Sequence, residues 1–328
     1  MGGSEEVETK QQWGGLPLPA IHHPGALNVS RGEEGVIIDI GLILQLVVNG
    51  LMTGGIYALV ASGFNLILGV MQVFNFAQGQ FYMLGAYATF GIVTGLGLSY
   101  PLGLLAALLA TLLLGVLFHF GIIKWTLSHG FFHTMLATIA FGNLVSQAAL
   151  LTFARDQGVV APLLSGAFSL RGITLNKGKL LVIAGAVVVM AVLYYFMKSK
   201  TGTAMLASAE NRDVAGLQGI NAKRIFWVTM AAGCGLCGIA GSLIVPVLSA
   251  TNTMGMDIFV RSMLVVLIGG TGSMAGALLA SFVVGIIESF AFQYVGQLSL
   301  LAIFAFTAVL IYFRPGGLLG KPLPIPGE

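Results

Sequence analysis

Between Ile40 and Phe153 the only Lys, Arg, Asp or Glu is Lys124. A soluble domain typically carries about 25% charged residues; this chain of 328 residues carries 8%, against 57% hydrophobic. So few charges cannot dress a water-facing surface, and lipid must cover most of the molecule. A charge at the centre of a bilayer costs roughly 2.5–3.5 kcal/mol on insertion scales, which accounts for the scarcity. The formal net charge of +3 comes without a basic stripe interleaved with aromatics, so nucleic-acid binding is excluded as a working reading.

A helical span needs about 20 apolar residues. Apolar stretches lie near 36–70, 80–98, 101–123, 131–153, 180–197, 225–247, 259–290 and 297–313. The first and seventh are too long for one simple span and contain glycine clusters: Gly50, Gly54 and Gly55 in the first, Gly269, Gly270, Gly272 and Gly276 in the seventh. The expectation is an all-α polytopic membrane protein of about eight to ten helical spans, two of them Gly-broken. Residues 1–38, with five Glu and three Pro, read as a polar, disordered extension that is not a secretory signal. Residues 39–322 read as the membrane domain and 323–328 as a tail.

The polar connections suggest an orientation. Lys124 and the segment 198–224 (Lys198, Lys200, Glu210, Arg212, Asp213, Lys223, Arg224) are two spans apart and therefore share a side, cytoplasmic by the positive-inside rule. Segment 154–179 then falls outside. Counting 259–290 as two crossings returns Arg314-Pro315-Gly316-Gly317 to the cytoplasmic side.

Four constellations stand out. Gly269-Gly270-Thr271-Gly272-Ser273, followed by Gly276, interrupts an apolar stretch. Irregular backbone at membrane depth survives only where protein or a watery cavity satisfies it, so this run either lines a cavity or packs helices closely. The run Gln72–Gln80, holding Asn75, Phe76, Gln78 and Gly79, is a re-entrant element or a polar loop. Glu288 is the only acidic residue deep in the late spans, a functional candidate if buried and an interfacial residue otherwise. Segment 198–224 predicts a short helix of Ala, Leu, Met and Glu stopped near Gly219, with small residues at Ala209 and Ala215 for close approach to a partner. Docking suits it better than a solvated connector.

Other chemistry is absent from the sequence. Cys234 and Cys237, in an apolar Cys-Gly-Leu-Cys, read as small residues on a packed helix face, and the five His are scattered. There is no phosphate-cradling G-x-x-x-x-G-K-[ST], no H-E-x-x-H and no G-x-S-x-G, so neither a metal, a bound cofactor nor catalysis is expected of this chain.

With these residues in view, the chain resembles the permeases of the branched-chain amino-acid ABC importer family. The resemblance rests on Asn49-Gly50 through Tyr57-Ala58-Leu59, Asn75-Phe76-Ala77-Gln78-Gly79, Gly85-Ala86-Tyr87, Ala209-Glu210, Ala215, Gly219-Ile220-Asn221 with Arg224, Leu267 through Ser273, and Pro315 through Gly320. It implies a helical permease paired with a second homologous permease, two cytoplasmic ATPases that use the ATP, and a periplasmic or surface solute-binding protein. It implies that Ala209, Glu210, Ala215, Gly219, Ile220, Asn221 and Arg224 belong to an ATPase-coupling element. The segments Asn75–Gly79 and Gly269–Gly276 would lie near a translocation path, with Glu288 a further candidate there. The solute would be a branched-chain or other small amino acid, with urea, an amide or an aromatic acid as the alternative. An ion-coupled secondary carrier is the rival from another class; it would need ionisable residues within the spans, where only Glu288 and the edge residues Asp257 and Arg261 qualify.

Overall fold

The computed structural model describes residues 40–153, 160, 167–170 and 173–319. The polar extension 1–38 and the tail 323–328 lie outside the described residues. The helices are α1 Ile40–Met71, α2 Gln78–Phe90, α3 Tyr100–Phe118, α4 Lys124–Thr126, α5 Phe131–Phe153, α6 Lys177–Met197, α7 Lys200–Glu210, α8 Arg212–Leu217, α9 Ala222–Ile244, α10 Met254–Gly269, α11 Met274–Val295 and α12 Ser299–Phe313. A π turn, His119–Ile123, joins α3 to α4, and a two-stranded antiparallel hairpin (β1 Ala167–Leu170, β2 Ile173–Asn176) precedes α6. Six segments are long and apolar enough to cross a membrane; the last, Met274–Phe313, divides at Gly296 into α11 and α12. With α2 and α10, the described residues hold nine long helices, within the expected range.

Polar residues set where several helices begin. A side-chain oxygen that accepts an N–H of the first turn satisfies a donor the helix itself leaves open. Asn176 does this for Gly178 (2.8 Å), Ser199 for Gly202 (3.3 Å), Asn221 for Arg224 (3.2 Å) and Ser273 for Gly276 (3.1 Å).

The two glycine-rich stretches behave differently. The seventh breaks as expected, with α10 ending at Gly269 and α11 starting at Met274. The first does not: α1 is one continuous helix of 32 residues. Its glycines are contact points and leave the helix unbroken. A Cβ on Gly50 would come within 2.7 Å of Ile286 Cα, and one on Gly54 within 3.0 Å of Phe282 Cα, while Gly285 answers from α11. Small residues let membrane helices approach closely, and packing there replaces the hydrophobic drive that lipid removes.

The core is built on α1, α2, α9 and α10, with α9 the most enclosed. Gly238 packs on Thr111 and Gly85, and Gly115 on Cys234, so the Cys-Gly-Leu-Cys run is a packed face. Both thiols are free and buried.

Contacts fix the relative directions. Lys179, at the start of α6, donates to Asn49 (2.7 Å), and Gly55 faces Ala186 (3.0 Å), so α1 and α6 run parallel and finish on the side of α7. Near the end of α1, Asn65 accepts from Gly272 N (2.7 Å). The C-terminal residues close over that turn: Leu318 N donates to Ile268 O (2.7 Å) and Leu319 N to Gly269 O (3.2 Å). Lys124 lines one cleft with Asn221, Lys223 and Arg224. Lys124, segment 198–224 and Arg314 thus share one basic face, as the charge pattern requires.

Candidate functional site

The backbone leaves α1 at Gln72, whose φ of 55° is unusual for a side-chain-bearing residue, and turns back into the bundle. Asn75, Gln78 and Gln80 are consequently buried. Asn75 Nδ2 donates to Gln78 Oε1 (3.0 Å) and Asn75 Oδ1 accepts from Ala77 N (3.1 Å). Gln78 Nε2 donates to Gly233 O and to Cys237 Sγ, each at 3.0 Å. Gly233 is the midpoint of the 23-residue α9, so α2 begins half-way through the bundle. Phe76 N donates to Thr138 Oγ1 (3.2 Å), tying the turn to α5. The turn 72–80 is therefore a buried one from which α2 starts, and not a solvated polar loop.

A second helix begins at the same depth. After α9 the chain folds inward, Asn252 O accepts from Ser146 Oγ (3.4 Å), and α10 opens at Met254. Gly79 of α2 lies directly on the Gly255 carbonyl, and a Cβ there would also meet Phe259 Cβ at 2.9 Å. Two helix N-termini therefore converge inside the bundle. Each carries the partial positive charge of a helix start, with first-turn amides held by the preceding turn: Gln78 N donates to Asn75 O (3.2 Å) and Met256 N to Thr253 O (3.1 Å). Beside them Gln80 Oε1 is buried with no hydrogen-bond partner among the described residues, and Asp257, in the first turn of α10, is exposed.

One to two turns along α10, Arg261 Nε donates to Glu288 Oε1 of α11 (2.8 Å), and the hydroxyl of Tyr57 on α1 donates to Glu288 Oε2. The side chains of Arg261 and Glu288 are 25% and 12% exposed. Glu288 is thus neither a lone buried acid nor a helix-end residue; it is the shared acceptor joining α1, α10 and α11. The pairing of Tyr57 with Glu288 is not visible in the sequence, where 231 residues separate them.

Gly269–Gly276 meets α1 between Asn65 and Gly69. Gly269 and Gly276 press backbone to backbone, Gly270 and Gly272 have φ of 96° and 82°, Thr271 is half-buried, Ser273 caps α11, and the whole turn sits under Gly317 on the basic face. The helix break expected here is a tight hairpin. A second discontinuity lies at Gly255, signalled in the sequence only by the Thr251-Asn252-Thr253 run before it.

On the basic face, α7 and α8 form the predicted short helical element. Ile220 N donates to Ala215 O (3.2 Å) across Gly219, whose φ is +81°. Ala215 is 4% exposed and Ala209 is half-buried, both packed inward on the protein itself. The outward apolar residues are Leu206, Val214 and Leu217, the last 89% exposed, with Glu210, Asn221 and Arg224 also exposed and Ile220 half-buried. Their mixing with polar neighbours hid them in the sequence. A Cβ at Gly219 meets open space, so Gly219→Val acts through its backbone. We expect it to insert normally and lose uptake at matched abundance; full uptake would show that the turn has no role in coupling.

Nine long helices among the described residues, two of them starting inside the bundle, define a polytopic membrane protein. The chain belongs to the family described as branched-chain amino acid transport system / permease component, whose model matches residues 46–313. It is similar to the high-affinity branched-chain amino acid transport system permease protein BraD of Pseudomonas aeruginosa, 29% identical over 295 residues, covering 85% of this chain and 96% of that one. The corresponding LivH of Escherichia coli is 25% identical over 297 residues, with 85% and 96% covered. A probable LivH of Methanocaldococcus jannaschii is 28% identical over 258 residues, with 73% and 78% covered.

Proposed function

We propose that this chain forms the solute path of an ATP-driven importer of branched-chain or other small amino acids in the cytoplasmic (inner) membrane. It would act with a second permease, two cytoplasmic ATPases and a solute-binding protein. Family membership supports the transport role, and the excess of Lys and Arg on the face of α7 and α8 supports a cytoplasmic orientation for it. Force from the ATPases would enter through Leu206, Val214 and Leu217 on that face. The chain itself holds no cofactor in this reading; ATP is hydrolysed by its partners.

The observation that carries the substrate class is the meeting of α2 and α10 at Gly79 and Gly255. Helix N-termini at mid-depth attract the carboxylate of an amino acid, a device shared with other transporters built on interrupted helices. The carboxylate of Asp257 offers its ammonium group the opposite charge. Urea or an amide carries no formal charge for either to match. The test is leucine uptake into proteoliposomes holding the chain with its partner subunits. Wild-type uptake should require ATP, and Asp257→Asn should slow leucine uptake about tenfold, the equivalent of about 1.4 kcal/mol, with ATP hydrolysis by the partners retained. Uptake by the chain alone, without ATPases, would refute the importer reading. An unchanged leucine rate in Asp257→Asn would refute the zwitterion site.

A further inference from the structure

The end of α3 and the start of α9 enclose an open cleft of about 670 Å³ on the basic face, away from the converging helix N-termini. Lys124, Lys223 and Arg224 line it, all exposed, with Phe120, Trp227 and the buried His119. His119 is 5% exposed, and its Nδ1 has no hydrogen-bond partner among the described residues although it borders the cleft. A buried polar atom left open costs about 1–3 kcal/mol, so a site that keeps one is suited to receive a ligand. His119 is placed there by the π turn His119–Ile123, a local widening of the helix that recurs at functional positions.

The setting identifies the ligand. Phe120 and Trp125 are 48% and 65% exposed, and Lys124 Nζ lies 5.6 Å from the Trp125 ring centroid. Exposed aromatics beside Lys and Arg at the ends of spans mark the headgroup level of a bilayer. A cleft that opens there, with three cations, a histidine N and apolar walls, matches a phosphate that carries acyl chains. We propose that this cleft binds the phosphate of an anionic phospholipid from the cytoplasmic leaflet, held by Lys124, Lys223 and Arg224 with His119 at its inner end. Basic pockets between helices on the cytoplasmic side are suited to such headgroups. Since this cleft packs the α3–α4 connection against the first turn of α9, the lipid would clamp that junction.

The test uses the full chain purified in a neutral detergent, titrated with phosphatidylglycerol or phosphatidylcholine and read by native mass spectrometry. Wild type should retain one phosphatidylglycerol at least about tenfold more tightly than phosphatidylcholine, and Lys124→Ala/Lys223→Ala should erase that preference. His119→Ala, which changes no exposed charge, should weaken it about threefold or more. If the double variant does not purify as a monodisperse protein, Lys223→Gln alone, a fully surface change, should still weaken phosphatidylglycerol binding about threefold. Equal retention of the two lipids by wild type would overturn the proposal, as would an unchanged preference in the variants. Displacement of phosphatidylglycerol by millimolar inorganic phosphate would assign the cleft to free phosphate, and displacement by the partner ATPase would assign it to that protein; either result removes the lipid.

Discussion

Gly79→Val is expected to abolish uptake and to lower the thermal stability of the purified chain. The glycine lies on the Gly255 carbonyl, with Gly255 C 2.8 Å and Phe259 Cβ 2.9 Å from where a Cβ would stand. The obstructing atoms are mostly backbone, so no rotamer change relieves the overlap. Either α10 shifts, or α2 does and strains the Gln78 bonds to Gly233 and Cys237. Overpacking of a dense core costs about 1–3 kcal/mol, and a contact against backbone belongs at the upper end. Gly79→Ala should show the same defects in weaker form. A Gly79→Val protein that melts and transports like wild type would mean that α2 and α10 do not meet in this way.

The second large effect is expected at Glu288. Its removal leaves the Arg261 guanidinium with the Asp257 carbonyl (3.3 Å) and takes away the acceptor of the Tyr57 hydroxyl in a sparsely charged region. Breaking a fully buried pair costs about 3–5 kcal/mol; Arg261 is a quarter exposed, so about 2–3 kcal/mol is expected for Glu288→Ala. Replacing both partners, Arg261→Met with Glu288→Leu, should destabilise less than Glu288→Ala alone, because no charge is then left unmatched. Unfolding in detergent, followed as a double-mutant cycle, measures the coupling. Strictly additive losses would show that the pair is not an interacting unit. Uptake by the double variant separates roles: stability regained without transport would place the pair in the path.

The class of fold is legible in the sequence because a bilayer imposes one rule along the whole chain. Lys124 alone among 40–153 forces spans, and polar runs such as 198–224 have nowhere to go but a face. The cap residues Asn176, Ser199, Asn221 and Ser273 sit where the helices start. What glycine does is not legible. Gly50 and Gly54 read as breaks yet are contacts within α1, because a neighbouring helix satisfies the same composition without any turn. Gly269–Gly276 does break the chain, but the residues that cover it, Gly317–Leu319, lie far from it in sequence. The site suffers more, since it is assembled from pairs distant in sequence: Gly79 with Gly255, and Tyr57 with Glu288. Ala209 and Ala215 illustrate the remaining gap. Small residues announce a close contact without saying which side it is on, and here it is the protein's own core.

The most direct measurement of the proposed path uses Thr253, the exposed residue at the N-cap of α10. The native thiols Cys234 and Cys237 are buried, so a cysteine placed at Thr253 should be the accessible one. In proteoliposomes holding Thr253→Cys with its partner subunits, a bulky maleimide should block leucine uptake, and leucine delivered by the binding protein should slow the labelling. Fully labelled protein that still imports leucine at the unlabelled rate would place the path elsewhere.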